Sequence, residues 1–131
     1  MLTEHDFNAL AAQGHNRIPL VAQALADLDT PLSLYLKLTQ GQPLSFLLES
    51  VVGGERFGRY SFVGLPARTL VRSTGRHIEV VTDGAVVETH EANPLDFIEA
   101  YQARFKAAVP QGLPRFCGGL AGYFGYDTVR H

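Results

Sequence analysis

The spacing of apolar residues along the chain is that of a helix in some segments and that of a strand in others. Three segments have helical spacing, and each begins at a capping residue: Thr3, Thr30 or Asn93. Proline follows the last two caps at the first helical position. The spacing predicts that Phe7, Leu10 and Ala11 form the buried stripe of the first helix. In the last helix it places near one face Leu95, Ile98, Tyr101, Gln102 and Phe105, with Phe97 adjoining that face. Shorter apolar or alternating runs predict strands, because side chains along a strand point to opposite faces in turn. The predicted strands are residues 17–21, 44–52, 59–63, 67–73, 76–82 and 85–90.

Two short turn signals separate the last three of these strands. Thr74-Gly75 and Asp83-Gly84 both supply residues that tolerate a positive φ, as the tight turns of β-hairpins require. In the strand between them, His77 and Glu79 alternate with Ile78 and Val80, which predicts one wet and one buried face. Hairpins combined with a few helices indicate an antiparallel sheet of the α+β class.

Two glycine-bearing blocks lie far apart, at residues 47–64 and 115–127. Glycine among strand-forming residues indicates that the backbone approaches a ligand or another backbone closely. In the second block, residues 118–126 predict a further strand. Its aromatic residues are predicted to belong to the core, or to form the wall of a pocket.

The first block holds the candidate ligand-binding chemistry. Glu49 and Ser50 end an apolar run, where a carboxylate and a hydroxyl could receive an ammonium and a polar ligand group. The alternative is that the strand simply emerges there into water. Arg56 and Arg59 follow, and a guanidinium can bind a carboxylate through two parallel hydrogen bonds. Either arginine could equally be a surface charge or a partner of Glu55.

Composition excludes several other classes. The chain has 131 residues, 46% of them hydrophobic, which is enough for one domain with a core. A net charge of -2 gives no reason to expect nucleic acid or an anionic membrane as partner. The single cysteine, Cys117, excludes an internal disulfide framework and fits a reducing cytoplasm; it is predicted to be a small buried hydrophobe. Gly53-x4-Gly58 lacks the lysine of a phosphate loop.

Catalytic and metal-binding patterns are also missing from the sequence. The five histidines are scattered without metal-ligand spacing, and no acid–base pair can be assembled. The residues alone therefore describe a noncatalytic α+β domain with a possible small-ligand pocket.

Four motifs between residues 30 and 127 recur together in one enzyme family. They are Thr30-Pro31-Leu32-Ser33-Leu34-Tyr35, Leu47-Leu48-Glu49-Ser50, Gly58-Arg59-Tyr60-Ser61-Phe62-Val63-Gly64 and Gly118-Gly119-Leu120-Ala121-Gly122-Tyr123-Phe124-Gly125-Tyr126-Asp127. On these motifs the chain resembles the N-terminal region of anthranilate synthase component I, the large chorismate-using subunit of tryptophan biosynthesis. The last motif is shared with aminodeoxychorismate synthase of folate synthesis. The second and third motifs are more typical of the anthranilate enzyme.

The resemblance implies a fold and a site. The implied fold is a sandwich of antiparallel sheets flanked by helices, with strands from both parts of a longer chain. Residues 1–131 would be an N-terminal fragment with a regulatory and scaffolding role. Glu49 and Ser50 match the element that binds tryptophan as feedback inhibitor, and Arg59 is the candidate for a basic residue beside it. The catalytic residues and the magnesium-binding carboxylates belong to the C-terminal region, so no catalytic or cofactor-binding residue is assigned here.

The implied reaction converts chorismate and an amino nitrogen to anthranilate and pyruvate. Ammonia would come from a glutamine amidotransferase subunit, and the C-terminal part of the same chain and a second copy are further expected partners. The cytoplasm is the expected location. Two alternatives stay open: aminodeoxychorismate synthase component I, and a freestanding amino-acid-sensing or interaction module.

Overall fold

The computed structural model of the chain describes residues 2–49, 60–109, 111–114 and 116–130. These residues form three α-helices, five strands and a final 3₁₀ helix. The α-helices are α1 (Glu4–Ala12), α2 (Pro31–Thr39) and α3 (Pro94–Ala103). The strands are β1 (Phe46–Glu49), β2 (Ser61–Gly64), β3 (Thr69–Thr74), β4 (His77–Thr82) and β5 (Ala85–Glu91). The 3₁₀ helix is Tyr126–Arg130.

The three predicted helix starts are confirmed. Thr3 Oγ1 accepts a hydrogen bond from Asp6 N at 3.2 Å, and the Asp6 carboxylate accepts one from Thr3 N at 3.1 Å. This reciprocal arrangement satisfies two backbone donors that a helix start would otherwise leave unpaired. At α3, Asn93 Oδ1 accepts from Leu95 N at 2.9 Å, with Pro94 at the first helical position.

The strands form two small antiparallel sheets, so the predicted α+β class is confirmed. One sheet pairs β1 with β2, and the other has the order β3-β4-β5. Asp83 and Gly84 have φ of 51° and 82°, which suits the turn predicted between β4 and β5. The turn before β4 lies one residue later than predicted, because β3 continues through Thr74 and Gly75 takes the positive φ.

The predicted alternation along β4 is also confirmed. Ile78 and Val80 are 0% and 2% exposed, whereas Glu79 on the other face forms an ion pair with Arg72 of β3 at 2.7 Å. His77 pairs with Glu91 of β5 at 2.6 Å. The wet face therefore carries an Arg–Glu ion pair and a His–Glu hydrogen bond between adjacent strands, and such cross-strand pairs stabilise a sheet by small increments.

The chain divides into two compact units. The first consists of Met1–Gln23, Ser73–Ile78 and His90–His131, and its buried residues include Phe97 and Tyr101 of α3. The second consists of Ala24–Arg72 and Glu79–Thr89. In this second unit, α2 packs against β1 and β2.

The strand predicted at residues 17–21 is wrong. Only Arg17 pairs, in an isolated parallel bridge to Ala107. Pro19 has no N–H to donate to a ladder, and Leu20 is 74% exposed. The apolar residues of this segment suggested a strand, but a strand needs a partner along its whole length.

The strand predicted at residues 118–126 is also wrong. Gly118 and Gly119 have φ of 142° and 144°, which interrupts any regular strand, and the segment runs without sheet pairing to the 3₁₀ helix. Tyr123 and Tyr126 are 94% and 91% exposed, so the prediction that these aromatic residues belong to the core is wrong within the described structure. Cys117, predicted to be buried, is exposed.

Two helix faces differ from their predictions. The stripe expected to be buried on α1 (Phe7, Leu10 and Ala11) is not, because α1 has no buried residue. On α3, Tyr101 is buried as predicted. Phe97, expected only to adjoin that face, is buried, and Leu95 is exposed. The Phe97 and His90 rings are in contact, with 4.8 Å between their centroids, so the buried face of α3 includes Phe97.

Candidate functional site

Glu49 is the last residue of β1 and lies at the end of the two-stranded sheet. In the antiparallel register, Phe46 pairs with Gly64, Leu47 with Val63, Leu48 with Phe62 and Glu49 with Ser61. Paired residues share a face, and successive residues alternate between faces. Glu49 and Ser61 therefore lie side by side on one face of the sheet, both exposed.

Ser61 is a candidate that the sequence analysis missed. Directly opposed residues of an antiparallel pair have Cβ atoms about 4.5–5.5 Å apart, so a carboxylate and a hydroxyl meet at this position. Ser61 belongs to the third motif, but only the strand register shows which residue of that motif faces Glu49.

The Glu49 side chain is exposed at this position. No side chain in the described part of the chain forms a hydrogen bond or ion pair with it. An exposed carboxylate accepts hydrogen bonds at both oxygens and is a suitable partner for an ammonium group. The arrangement at the end of β1 can therefore receive a cationic group beside a hydroxyl.

Helix α2 supports the sheet that presents Glu49. Tyr35 Oη and Ser45 Oγ lie 3.1 Å apart, and Ser45 Oγ donates to Gln42 O at 2.9 Å. Ser45 directly precedes β1, so this link fixes the entry of the strand relative to the helix. The Tyr35 residue of the first motif thus has a positioning role in the structure.

Several polar contacts hold the start of α2. Ser33 Oγ donates to Asp29 Oδ1 at 2.8 Å, and Lys37 Nζ approaches the same oxygen at 2.6 Å. The hydrogen bond from Lys37, followed by that from Ser33, lowers the pKa of Asp29 from its ordinary value. The first motif therefore forms the capped start of α2, with Thr30 as the cap and with Ser33 and Lys37 bonded to Asp29.

A phenylalanine ring packs over the backbone at the other end of the sheet. The Phe46 ring occupies the place that a side chain at Gly64 would need. Gly64 closes the third motif, and its lack of a side chain allows the ring to contact the backbone. The close approach at Gly64 is that of the Phe46 side chain, so the predicted approach of a ligand or of another backbone in this block stays a prediction.

The other two predicted site residues lie outside the described residues. Ser50 and Arg59 both belong to the part of the chain between Glu49 and Tyr60 that the structure does not describe. Their grouping with Glu49 stays a prediction. So does the predicted position of the last glycine block beside this site.

Two negative findings concern the described residues only. Within residues 2–49, 60–109, 111–114 and 116–130, no group of three or more His, Cys, Asp or Glu side chains is arranged to hold a metal ion. In the same ranges, no helix has the length and apolar character needed to cross a membrane.

The chain is similar to known proteins over nearly its whole length. It is 59% identical over 129 residues to anthranilate synthase component 1 of Neisseria meningitidis serogroup B, covering 98% of this chain and 26% of that protein. It is 56% identical to the protein of that name from Pseudomonas putida, over 99% of this chain and 26% of the relative. It is 38% identical to that from Acetivibrio thermocellus, over 93% of this chain and 24% of the relative.

These relatives confirm the resemblance seen in the four motifs. The chain spans about a quarter of the length of the curated relatives it matches, and the match is to their N-terminal quarter. No family model matches the chain. No solved structure matches it either.

Proposed function

We propose that this chain, homologous to the N-terminal quarter of anthranilate synthase component 1, is the regulatory and scaffolding region of such an enzyme. The observation that carries the proposal is the 59% identity over 98% of the chain. The complete protein would convert chorismate and ammonia to anthranilate and pyruvate in tryptophan biosynthesis. A glutamine amidotransferase, component II, would supply the ammonia.

The proposed ligand of this region is tryptophan, acting as feedback inhibitor. Glu49 would accept hydrogen bonds from the ammonium group of tryptophan. Ser50 would form a hydrogen bond with a polar group of the ligand, and Arg59 would bind its carboxylate. The exposed Glu49 carboxylate at the end of β1, to which no described side chain bonds, supports the first of these roles. The Ser61 hydroxyl on the same face adds a polar group within reach of such a ligand.

In this proposal, the C-terminal part of the complete protein catalyses the reaction. That part would hold the catalytic residues and the magnesium ion, so residues 1–131 by themselves should not turn over chorismate. The expected role of this chain is to sense tryptophan and to pack against the catalytic part.

Product identification in the complete protein tests the proposal. The protein is incubated with chorismate, magnesium and ammonium, and the products are separated by chromatography. We expect anthranilate and pyruvate in equal amounts, with formation suppressed by added tryptophan. Accumulation of 4-amino-4-deoxychorismate without anthranilate would instead assign the chain to the folate enzyme, and absence of both products would refute an enzyme of either kind.

A further inference from the structure

The turn between α2 and β1, residues 40–45, contains a strained residue. Gln40 and Leu44 have φ of 52° and 60°, in the left-handed region that residues with a side chain seldom adopt. Gln40 is the residue that ends α2, where a left-handed conformation is common. Leu44 has no such reason to adopt it. A residue other than glycine stays in this region only when the surrounding contacts hold it there.

Hydrogen bonds hold Leu44 from two directions. Ser45 Oγ donates to Gln42 O at 2.9 Å and lies 3.1 Å from Tyr35 Oη. Because a hydroxyl group has one proton, the Tyr35 hydroxyl is the donor to Ser45 Oγ. Ala67 N, just beyond β2, donates to Leu44 O at 2.9 Å. The strained residue is therefore fastened to α2 through its neighbour Ser45 and to the chain leaving β2 through its own carbonyl.

Helix α2 is a firm base for the Tyr35 hydroxyl. Thr39, one turn further along the helix, is buried and donates through its hydroxyl to Tyr35 O at 2.8 Å. At the start of the helix, Ser33 and Lys37 bind Asp29. The helix is held at both ends, so the Tyr35 hydroxyl donates from a defined place.

The pairing of β1 with β2 is short and its hydrophobic pattern is uninformative. Each strand contributes four residues, and residues 46–48 are all apolar, so both faces of β1 are apolar. A shift of one residue would turn every side chain of β1 to the other face. Glu49 would then leave the face of Ser61. Packing of the Phe46 ring on Gly64 favours the observed register, and the geometry of the turn before β1 is the other determinant.

We propose that Tyr35 is a positioning residue whose hydroxyl, by holding Leu44 in its strained conformation, sets the register of β1 and keeps Glu49 opposite Ser61. Without that hydroxyl the turn relaxes, and β1 shifts relative to β2 in part of the molecules. The register is independent of the proposed function. Its consequence for tryptophan rests on that function, because Glu49 is there the acceptor of the ammonium group.

Cysteine cross-linking in the complete protein measures the register directly. Glu49→Cys with Ser61→Cys marks the observed register, and Leu48→Cys with Ser61→Cys marks a shift of one residue. After mild oxidation, mass spectrometry of the linked peptides gives both yields. The first pair should give the higher yield, because only directly opposed side chains come within reach. Tyr35→Phe should lower the ratio of the two yields roughly threefold to tenfold, as expected for one lost hydrogen bond. Tyr101→Phe, which removes a hydroxyl from α3, should leave it unchanged.

Leu44→Gly tests whether strain is the cause. Glycine adopts a positive φ without strain, so the turn keeps its conformation without help from the Tyr35 hydroxyl. In this background, Tyr35→Phe should leave the cross-link ratio nearly unchanged. A ratio that Tyr35→Phe does not alter in the original background would overturn the proposal. So would an equal fall of the ratio in both backgrounds, because a hydroxyl with a merely structural role would matter in each.

Calorimetric titration of tryptophan into the complete protein measures the consequence for the ligand. Tyr35→Phe should raise the dissociation constant roughly threefold to tenfold, because only the molecules that present Glu49 correctly bind. In the Glu49→Gln background it should have no further effect. A further loss there would contradict an action through Glu49. Absence of binding to the unmodified protein would refute the proposed function instead, and the cross-link ratio would still test the register.

Discussion

Ser50 and Glu49 are adjacent in the sequence, but only Glu49 is among the residues that the structure describes. The structure places Glu49 at an exposed strand end, opposite Ser61, and no described side chain bonds to its carboxylate. The proposed role of Ser50 comes from the motif that both residues share. The two can be separated by experiment, because a hydroxyl and a carboxylate contribute differently to binding an amino acid.

Replacing Ser50 by alanine should weaken feedback inhibition and leave turnover near normal. A ligand group that loses its hydroxyl partner stays unpaired, which costs about 1–3 kcal/mol. Inhibition curves for tryptophan, recorded on the complete protein, provide the measurement. Ser61→Ala, across the sheet from Glu49, is an informative companion because it tests the residue that the register adds.

The Ser50 assignment has two ways to fail. An inhibition curve identical to that of the unmodified protein would remove Ser50 from the site. A collapse of catalytic activity would instead indicate a structural role.

At the scale of elements, the first motif and Gly64 support the sheet that carries Glu49. Helix α2 is capped by Thr30, anchored at Asp29 and linked through Tyr35 to the start of β1. On the sheet, the Phe46 ring covers the backbone of Gly64. These contacts show that residues of the first and third motifs hold the strands of this sheet in place.

Gly64→Ala should destabilise the protein, because the added methyl group collides with the Phe46 ring. Forcing an extra carbon into a packed position costs typically about 1–3 kcal/mol. Gly122→Ala is the matched control, since an added methyl group there meets open space and the backbone φ is not in the positive range. Urea unfolding of the two variants gives the comparison.

A second substitution tests whether the collision with the Phe46 ring causes the loss of stability in Gly64→Ala. In the Phe46→Leu background, the penalty of Gly64→Ala should shrink, as expected for two residues in contact. A Gly64→Ala variant as stable as the Gly122→Ala control would show that the ring does not depend on the glycine.

Elements specified by neighbouring residues could be predicted from the sequence. The caps at Thr3, Thr30 and Asn93 and the Asp83-Gly84 turn are local, and the buried face of β4 follows from strict alternation. The strands predicted at residues 17–21 and 118–126 depended on distant partners, and sequence patterns do not reveal whether such partners exist. The opposition of Ser61 to Glu49 likewise needed the strand register.

At the scale of the whole molecule, the last glycine block presents a concentration of exposed aromatic residues. Tyr123, Phe124 and Tyr126 are all exposed, with Leu120 beside them in the sequence. Adjacent exposed apolar residues on this scale mark surfaces that contact another protein. In the proposed function, the natural occupant is the catalytic part of the complete protein.

Residues 1–131 on their own should therefore self-associate through this segment. Sedimentation velocity over a concentration series is expected to show a rising average mass. Replacing both Tyr123 and Phe124 by serine should lower the association, because it removes two of the exposed aromatic side chains of the block. Leu28→Ser, at a residue that is also highly exposed but outside the block, is the control. A monomer at every concentration would contradict this account of the segment.

The central claim is that this region binds tryptophan through Glu49, and calorimetric titration of tryptophan into the complete protein tests it most directly. The unmodified protein should show saturable binding. Glu49→Gln should raise the dissociation constant by roughly tenfold or more, because a charge-assisted bond to the ammonium group is lost. Glu99→Gln, at an exposed glutamate of α3, should have no effect. Equal affinities in all three proteins, or no binding to the unmodified protein, would contradict the claim.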